Sequence, residues 1–509
     1  MMKNHFFGRV ARAPRLVALV AAALLTTGLA TVVSAGNAAA GAATPTVAPL
    51  TGGAGIPAPP NLNGFDLGSV GYEQSEVTLS GTATSYLPNG SLTNDGKWTA
   101  TPNTTASYQT RAVTYRPIDP EKFNGTVIVE WLNVSGGLDA NPDWTLTHNE
   151  LIRDGFAWVG VSAQAVGVHQ LQCPASGPPT ATCPGPGDPA RYGSLSHPGD
   201  SFSYDIFSQA GQAVRDDPAL LLSGLTPKKI IAAGESQSAS RLVTYIDAVH
   251  PLVHVYDGFL VHSRGATGSA LSQSPLTSVP TPNPSMIRND LTVPVFVFDT
   301  ETDVFNSNTT DRQPDTDRFR LWEVAGSSHF DWYGLAIGPT DTGNGQGAVA
   351  NLAAMQNPSA TIPGGLPPCA APINTGGTHW VLNAAVYSLN LWVVNGTAPP
   401  TAQYLAVTST SPVVFTKDAN GNTEGGVRSP QVDAPVAALG GIGNTPAFCA
   451  LFGTTVPYSP TQLSTLYKNH GQFVSQWGRA AQDAVKGGFL LQPDATELKN
   501  SASQSQIGR

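Results

Sequence analysis

The stretch "KKIIAAGESQSASRLVTYIDAVHP", residues 228–251, decides how this chain is read. An apolar run, Ile230 to Ala233, meets Gly234, and Ser236 follows two residues on. Ala239, Leu242, Val243 and Ile246 then fall at i, i+3, i+4 and i+7, a core-facing helical stripe. The spacing predicts a strand, a sharp turn and a helix from Ser236 to His250. A nucleophile on such a turn has a strained backbone at the top of a sheet, so the residues two either side must be small. Gly234 meets that demand; Ser238 stands where a second glycine is usual but is still small. The same spacing occurs in "GDSFS" (199–203), yet "SLSHP" precedes it and no strand does. Only the first copy has the context of an exposed nucleophile.

On either side of this stretch, short apolar runs alternate with amphipathic segments. "TVIVEWL" (126–132), "AWVGVS" (157–162), "KIIAAG" (229–234), "VYDGFLVH" (255–262), "VPVFVFD" (293–299) and "RLWEVAG" (320–326) read as buried strands. "THNELIRDG" (147–155) and "SYDIFSQAGQAVRD" (203–216) read as helices between them. Such alternation indicates crossover units and an α/β fold with a mostly parallel sheet flanked by helices. Residues 65–118 have a β-like, loop-rich pattern, and residues 163–202 form a Pro/Gly-rich insertion. "HWVLNAAVYSLNLWVVNG" (379–396) and the stripe Phe473, Val474, Trp477, Ala481, Ala484, Val485 predict helices in a C-terminal extension from about 380 to 509.

A serine nucleophile needs a base, and the base an orienting acid. On a parallel sheet with this elbow they follow in the order acid, then histidine, each after a strand. "VPVFVFDTETDVF" supplies the acid and "RLWEVAGSSHFDW" supplies His329. Asp303 lies a few residues past its strand, where a loop can turn it toward His329; Glu301, two residues away, is the alternative acid. Asp299 lies too close to the strand. His262 precedes the acid, which is the wrong order, and His148, His250, His379 and His470 fall in or beside predicted helices as surface or capping residues. The oxyanion hole is expected from the backbone N–H of Gln237 and one from the "NVSGG" loop, near Asn133 or Val134. The positive end of the elbow helix adds to it.

Bulk features bound the rest. The 509 residues are 41% apolar and 12% charged, with 53 Gly and 42 Pro, as in a loop-rich exported enzyme. A net charge of −9 without a long basic run disfavours nucleic acid and anionic membranes as partners. Residues 1–40 read as an export signal, with Lys3, Arg9, Arg12 and Arg15 before an apolar segment and small residues after it. After its cleavage no membrane association is expected, and the product is secreted. Residues 41–64 read as a Pro/Gly/Ala linker and 65–509 as a single domain. Four cysteines in an exported chain favour disulfides, Cys173 with Cys183 and Cys369 with Cys449, although four cysteines permit three pairings. No Cys/His spacing fits zinc, and no metal or organic cofactor is expected.

With these residues in hand, the chain resembles a bacterial family of α/β-hydrolase-domain proteins. The segments carrying the resemblance include "FNGTVIVEWLNVSGG", "RYGSLSHPGDSFSYDIFSQAG", "AAGESQSASRLVTYIDAVHP", "DTETDV", "EVAGSSHFD" and "KDANGNTEGGVRSPQVDAPVA". They run in order from about residue 65 to 500. The resemblance implies an α/β-hydrolase fold, a "GESQS" elbow as the family's own variant, and a Ser–His–acid hydrolase acting on carboxylic esters. It also implies that the extension packs on the hydrolase core as one unit. Competing readings are an amidase or acyltransferase on the same triad, and a catalytically silent fold used for binding. The partner expected is a small-molecule or polymeric ester substrate.

Overall fold

Strict alternation along six strands sends odd and even residues to two different cores. In the computed structural model, which describes residues 41–56, 65–364 and 366–509, β1 (Thr46–Pro49), β2 (Tyr72–Pro88) and β3 (Ala100–Pro117) precede β4 (Thr126–Trp131). Then follow β5 (Ala157–Val161), β6 (Lys229–Glu235), β7 (Gly258–His262), β8 (Val295–Thr300) and β9 (Phe319–Val324). They form one sheet in the order β1-β2-β3-β5-β4-β6-β7-β8-β9. From β5 to β9 every pairing is parallel; β1, β2 and β3 join antiparallel. Ile128, Trp158, Ile231, Leu260 and Phe296 face one core, and Val127, Val159, Ala232, Phe259 and Val295 the other. The helices Ser203–Asp216 and Gln237–Thr244 cover the second face; Pro142–Arg153 and Thr378–Asn395 cover the first.

The predicted strands fall within a few residues of the observed ones. The helix expected at 147–155 instead opens at Pro142. Its start is fixed by Glu130 of β4, whose buried carboxylate accepts the Asp143 and Trp144 N–H groups at 3.0 Å each. Its two oxygens satisfy two N–H groups that a helix leaves unpaired. The elbow helix continues past Thr244 through a wider turn, Tyr245–Val249. Within the stretch read as a linker, β1 pairs with β2 and buries Val47. Residues 57–64 and the expected export signal, 1–40, lie outside the described residues.

The C-terminal extension is wedded to the sheet edge. Val427 bridges β9 in parallel at Val324, and Glu323 accepts the Leu405 N–H at 2.7 Å while pairing with Arg312. Both expected disulfides are present, Cys173–Cys183 and Cys369–Cys449. No described helix is long and apolar enough to cross a membrane. The second disulfide spans 80 residues and the first 10. Replacing each pair by serine is therefore expected to cost about 4 kcal/mol for Cys369–Cys449 and about 3 kcal/mol for Cys173–Cys183. Equilibrium urea unfolding of the two double variants reads the order directly.

Candidate active site

The sheet reverses its winding between β4 and β6, since β5 lies on one side of β4 and β6 on the other. Ligands of open α/β sheets bind outside the strand ends at such a switch point. The loops after β4 and β6 flank it, and they carry Asn133, Val134 and Ser236.

Ser236 has φ 59° and ψ −115°, a conformation that side chains rarely adopt. It is stabilised by its own N–H, which donates to His262 O at 2.9 Å, and by the small residues around it. A Cβ on Gly234 would lie 3.1 Å from Ser238 Cβ, so the glycine makes room for the serine that replaces the usual second glycine. Ser238 itself is fully buried. The elbow thus tolerates Ser238 because the crowding is taken up at Gly234.

The structure brings Ser236, His329 and Asp303 into one line. His329 Nε2 lies 2.8 Å from Ser236 Oγ, and His329 Nδ1 lies 2.6 Å from Asp303 Oδ1. Asp303 sits in the first turn of the helix Glu301–Ser307, not on the loop expected from sequence. It closes a capping box there: its Oδ2 accepts the Thr300 N–H at 2.8 Å and the Thr300 hydroxyl at 2.6 Å. Thr302, one residue earlier, accepts the His329 N–H at 3.1 Å, which ties the histidine loop to the acid helix. Burial would raise the Asp303 carboxyl, but His329 and the Thr300 donors outweigh it and hold the acid below its ordinary value. Burial likewise opposes charge on His329, yet Asp303 and then Glu235 lift the ring to about 9.

Glu301, the alternative acid, points away from the histidine. Its Oε1 accepts the Gly326 N–H at 2.6 Å and its Oε2 the Gly441 N–H at 3.0 Å. It therefore clips the histidine loop to the C-terminal extension. Gly441 must be small there, since a Cβ would come within 2.5 Å of Glu301 Cβ.

Of the two loop donors expected near the oxyanion, Asn133 is excluded. Its N–H donates to Ala140 O at 2.8 Å, because the chain pairs with itself across the loop at this point. Ser135 N–H turns onto Asn133 Oδ1 and Gly137 N–H onto Val134 O. These bonds take up the Asn133, Ser135 and Gly137 N–H groups and do not involve the Val134 N–H. Gln237 opens the elbow helix, so its N–H is among those without an intrahelical acceptor.

Sequence reasoning missed two features. The histidines His148, His250 and His379, expected at the surface or as caps, are buried; His379 stacks on Tyr333 with centroids 3.8 Å apart, and His148 Nε2 donates to Asp341 O at 2.6 Å. More important, Glu235 reaches His329: its Oε1 lies 3.2 Å from Nε2. The signal was available, a carboxylate in the middle of the elbow, but its direction depends on the strand's face.

A strained serine at a strand–helix elbow, with acid and histidine following in that order at the ends of later parallel strands, agrees with the family model for the alpha/beta hydrolase domain, which matches residues 38–500. The chain belongs to the alpha/beta hydrolase family. Among solved structures it is similar to a methylesterase at 14% identity, covering 53% of this chain and 48% of that one, with TM-score 0.28. The chain thus spans about half of that methylesterase's length. It is also similar to a glucuronoyl esterase from Solibacter usitatus at 10% identity, covering 50% of this chain and 76% of that one, with TM-score 0.26. A serine hydrolase without a lid from Xanthomonas campestris shares 12% identity over 47% of this chain and 83% of its own, with TM-score 0.24. No curated protein matches. The family assignment rests on the family model, since these structural likenesses are shallow.

Proposed function

We propose that this alpha/beta hydrolase is an exported serine esterase. The observation that carries the reading is the unbroken hydrogen-bonded line from Ser236 Oγ through His329 to Asp303. In the proposed reaction His329 Nε2 takes the proton from Ser236 Oγ as Oγ attacks the ester carbonyl. The N–H groups of Gln237 and Val134 receive the oxyanion, and the positive end of the elbow helix adds to that field. The proton then passes to the departing alkoxide as its C–O bond breaks, leaving an acyl-serine. Water, deprotonated by the same ring, releases the acid. Asp303 holds the proton on Nδ1 so that Nε2 presents its lone pair to the serine. Export is supported by the two disulfides, which persist in oxidising compartments.

A fluorophosphonate probe tests the reading without knowledge of the ester, because it reacts only with an activated serine. The expected result is a single adduct on the peptide containing Ser236, lost in His329→Ala. An adduct on another serine, or none on folded protein, would refute the assignment. Ester, amide and alcohol-acceptor panels on the unlabelled enzyme then separate hydrolysis of esters from amide cleavage and acyl transfer.

A further inference from the structure

His329 meets a carboxylate at each edge of its ring. Asp303 takes Nδ1, and Glu235 Oε1 lies 3.2 Å from Nε2, the nitrogen that also faces Ser236 Oγ. Glu235 is only 4% exposed. Its place is fixed by Asn133, whose Nδ2 donates both to Glu235 Oε2 at 3.0 Å and to the Glu235 carbonyl at 2.9 Å. The loop after β4 therefore contributes a side chain that aims a carboxylate at the base. The triad as described gives Glu235 no task.

We propose that Glu235 is a positioning residue for His329, accepting the Nε2–H of the imidazolium formed when the serine is deprotonated. The inference rests on the triad reading above. An ionised carboxylate has no proton to give, so it pairs with Nε2 only when that nitrogen carries one. During attack the Ser236 O–H bond breaks, the Oγ–carbonyl bond forms and the proton arrives on Nε2. Glu235 then holds that N–H until the leaving alkoxide takes its proton, and ends the cycle with its charge unchanged. Imidazolium is thus stabilised from both edges.

The same contact has a cost. A carboxylate at Nε2 also favours the protonated base in the resting enzyme, so the base is free only at higher pH. The groups around the pair act in both directions. Facing Glu235 are His329 on the loop after β9, His262 on β7, Asp143 at the start of the helix Pro142–Arg153 and Asp303 on the acid helix. Asp143 is itself occupied, 2.8 Å from His262 Nδ1. Burial pushes Glu235 up to about 7, opposed by His329 and His262 and assisted by Asp143 and Asp303.

The test compares the pH dependence of fluorophosphonate inactivation in the wild type and in Glu235→Gln. The variant is near-isosteric and still offers Asn133 an acceptor. Its acid limb is expected to move down by about one pH unit or more, so at a pH on that limb it stands about tenfold closer to its own plateau. Its plateau rate is expected to fall, because the imidazolium has lost one partner. A histidine NMR titration of Ser236→Ala against Ser236→Ala/Glu235→Gln reads the same shift without turnover. Should the glutamine variant fail to fold, Glu235→Met removes the charge at similar volume and serves in both measurements. An unshifted limb and an unshifted His329 titration, with Ser236 still labelled, would overturn the role of Glu235 and leave the triad standing. No labelling of Ser236 in the wild type would overturn the triad and this inference together.

Discussion

Replacing Ser236 by Ala is expected to lower kcat on a carboxylic ester by about 10⁵- to 10⁶-fold while leaving the fold intact. Alanine occupies the same positive-φ position with no larger Cβ demand, so the elbow geometry at φ 59° should survive. In the proposed mechanism the atom lost is the one that forms the acyl-enzyme, and nothing else in the line can replace it. For that reason Ser236→Ala/His329→Ala is expected to be no worse than either single variant, because the base has no task once the nucleophile is gone. Steady-state rates for the three variants, with thermal unfolding midpoints beside them, check both statements. Additive losses in the double variant would contradict the reading of Ser236 and His329 as one unit.

The second large effect separates the two acids. Asp303→Asn is expected to reduce kcat by about 10⁴-fold. The direction follows from the capping box. Both Thr300 donors face Oδ2, so the amide oxygen must stay there and the amide nitrogen must turn to His329. A donor facing Nδ1 forces the ring's proton onto Nε2, where it confronts Ser236 instead of accepting from it. Glu301→Gln behaves differently. Its two oxygens accept from Gly326 and Gly441, so an amide nitrogen meets a donor whichever way it turns. The expected cost is stability, about 1 to 3 kcal/mol, with a far smaller loss in kcat than Asp303→Asn shows. Parallel kinetics and urea unfolding of the two variants give the contrast; a 10⁴-fold loss at Glu301 instead would exchange their roles.

Asp303 and Glu301 also mark how far sequence reaches. Order along the chain and position after β8 bring both carboxylates to the right end of the sheet. Choosing between them turned on a helix that begins at Glu301, since the first-turn geometry aims Asp303 back across Thr300 and sends Glu301 toward Gly326 and Gly441. Gly441 lies 140 residues away from Glu301, so no local pattern could have supplied that partner. Asn133 is a parallel case. Its place after β4 was readable, but its N–H is consumed by Ala140 and its side chain is spent on Glu235, and both facts depend on how the loop folds over β6.

Periodicity, turn chemistry and strand order are local or sequential properties, so the mostly parallel sheet, the elbow at Ser236 and the succession of acid and histidine were legible along the chain. The two disulfides belong with them only as an expected pairing. Tertiary structure alone decided which carboxylate meets which edge of His329. Glu235 looks, in sequence, like a polar residue inside a turn. It meets the base because β6 ends with that side chain on the face that the Asn133 loop and the His329 loop close over. Hydrogen bonds between residues 102 positions apart, as for Asn133 and Glu235, are fixed by the packing of strand ends, and no one-dimensional pattern records their direction.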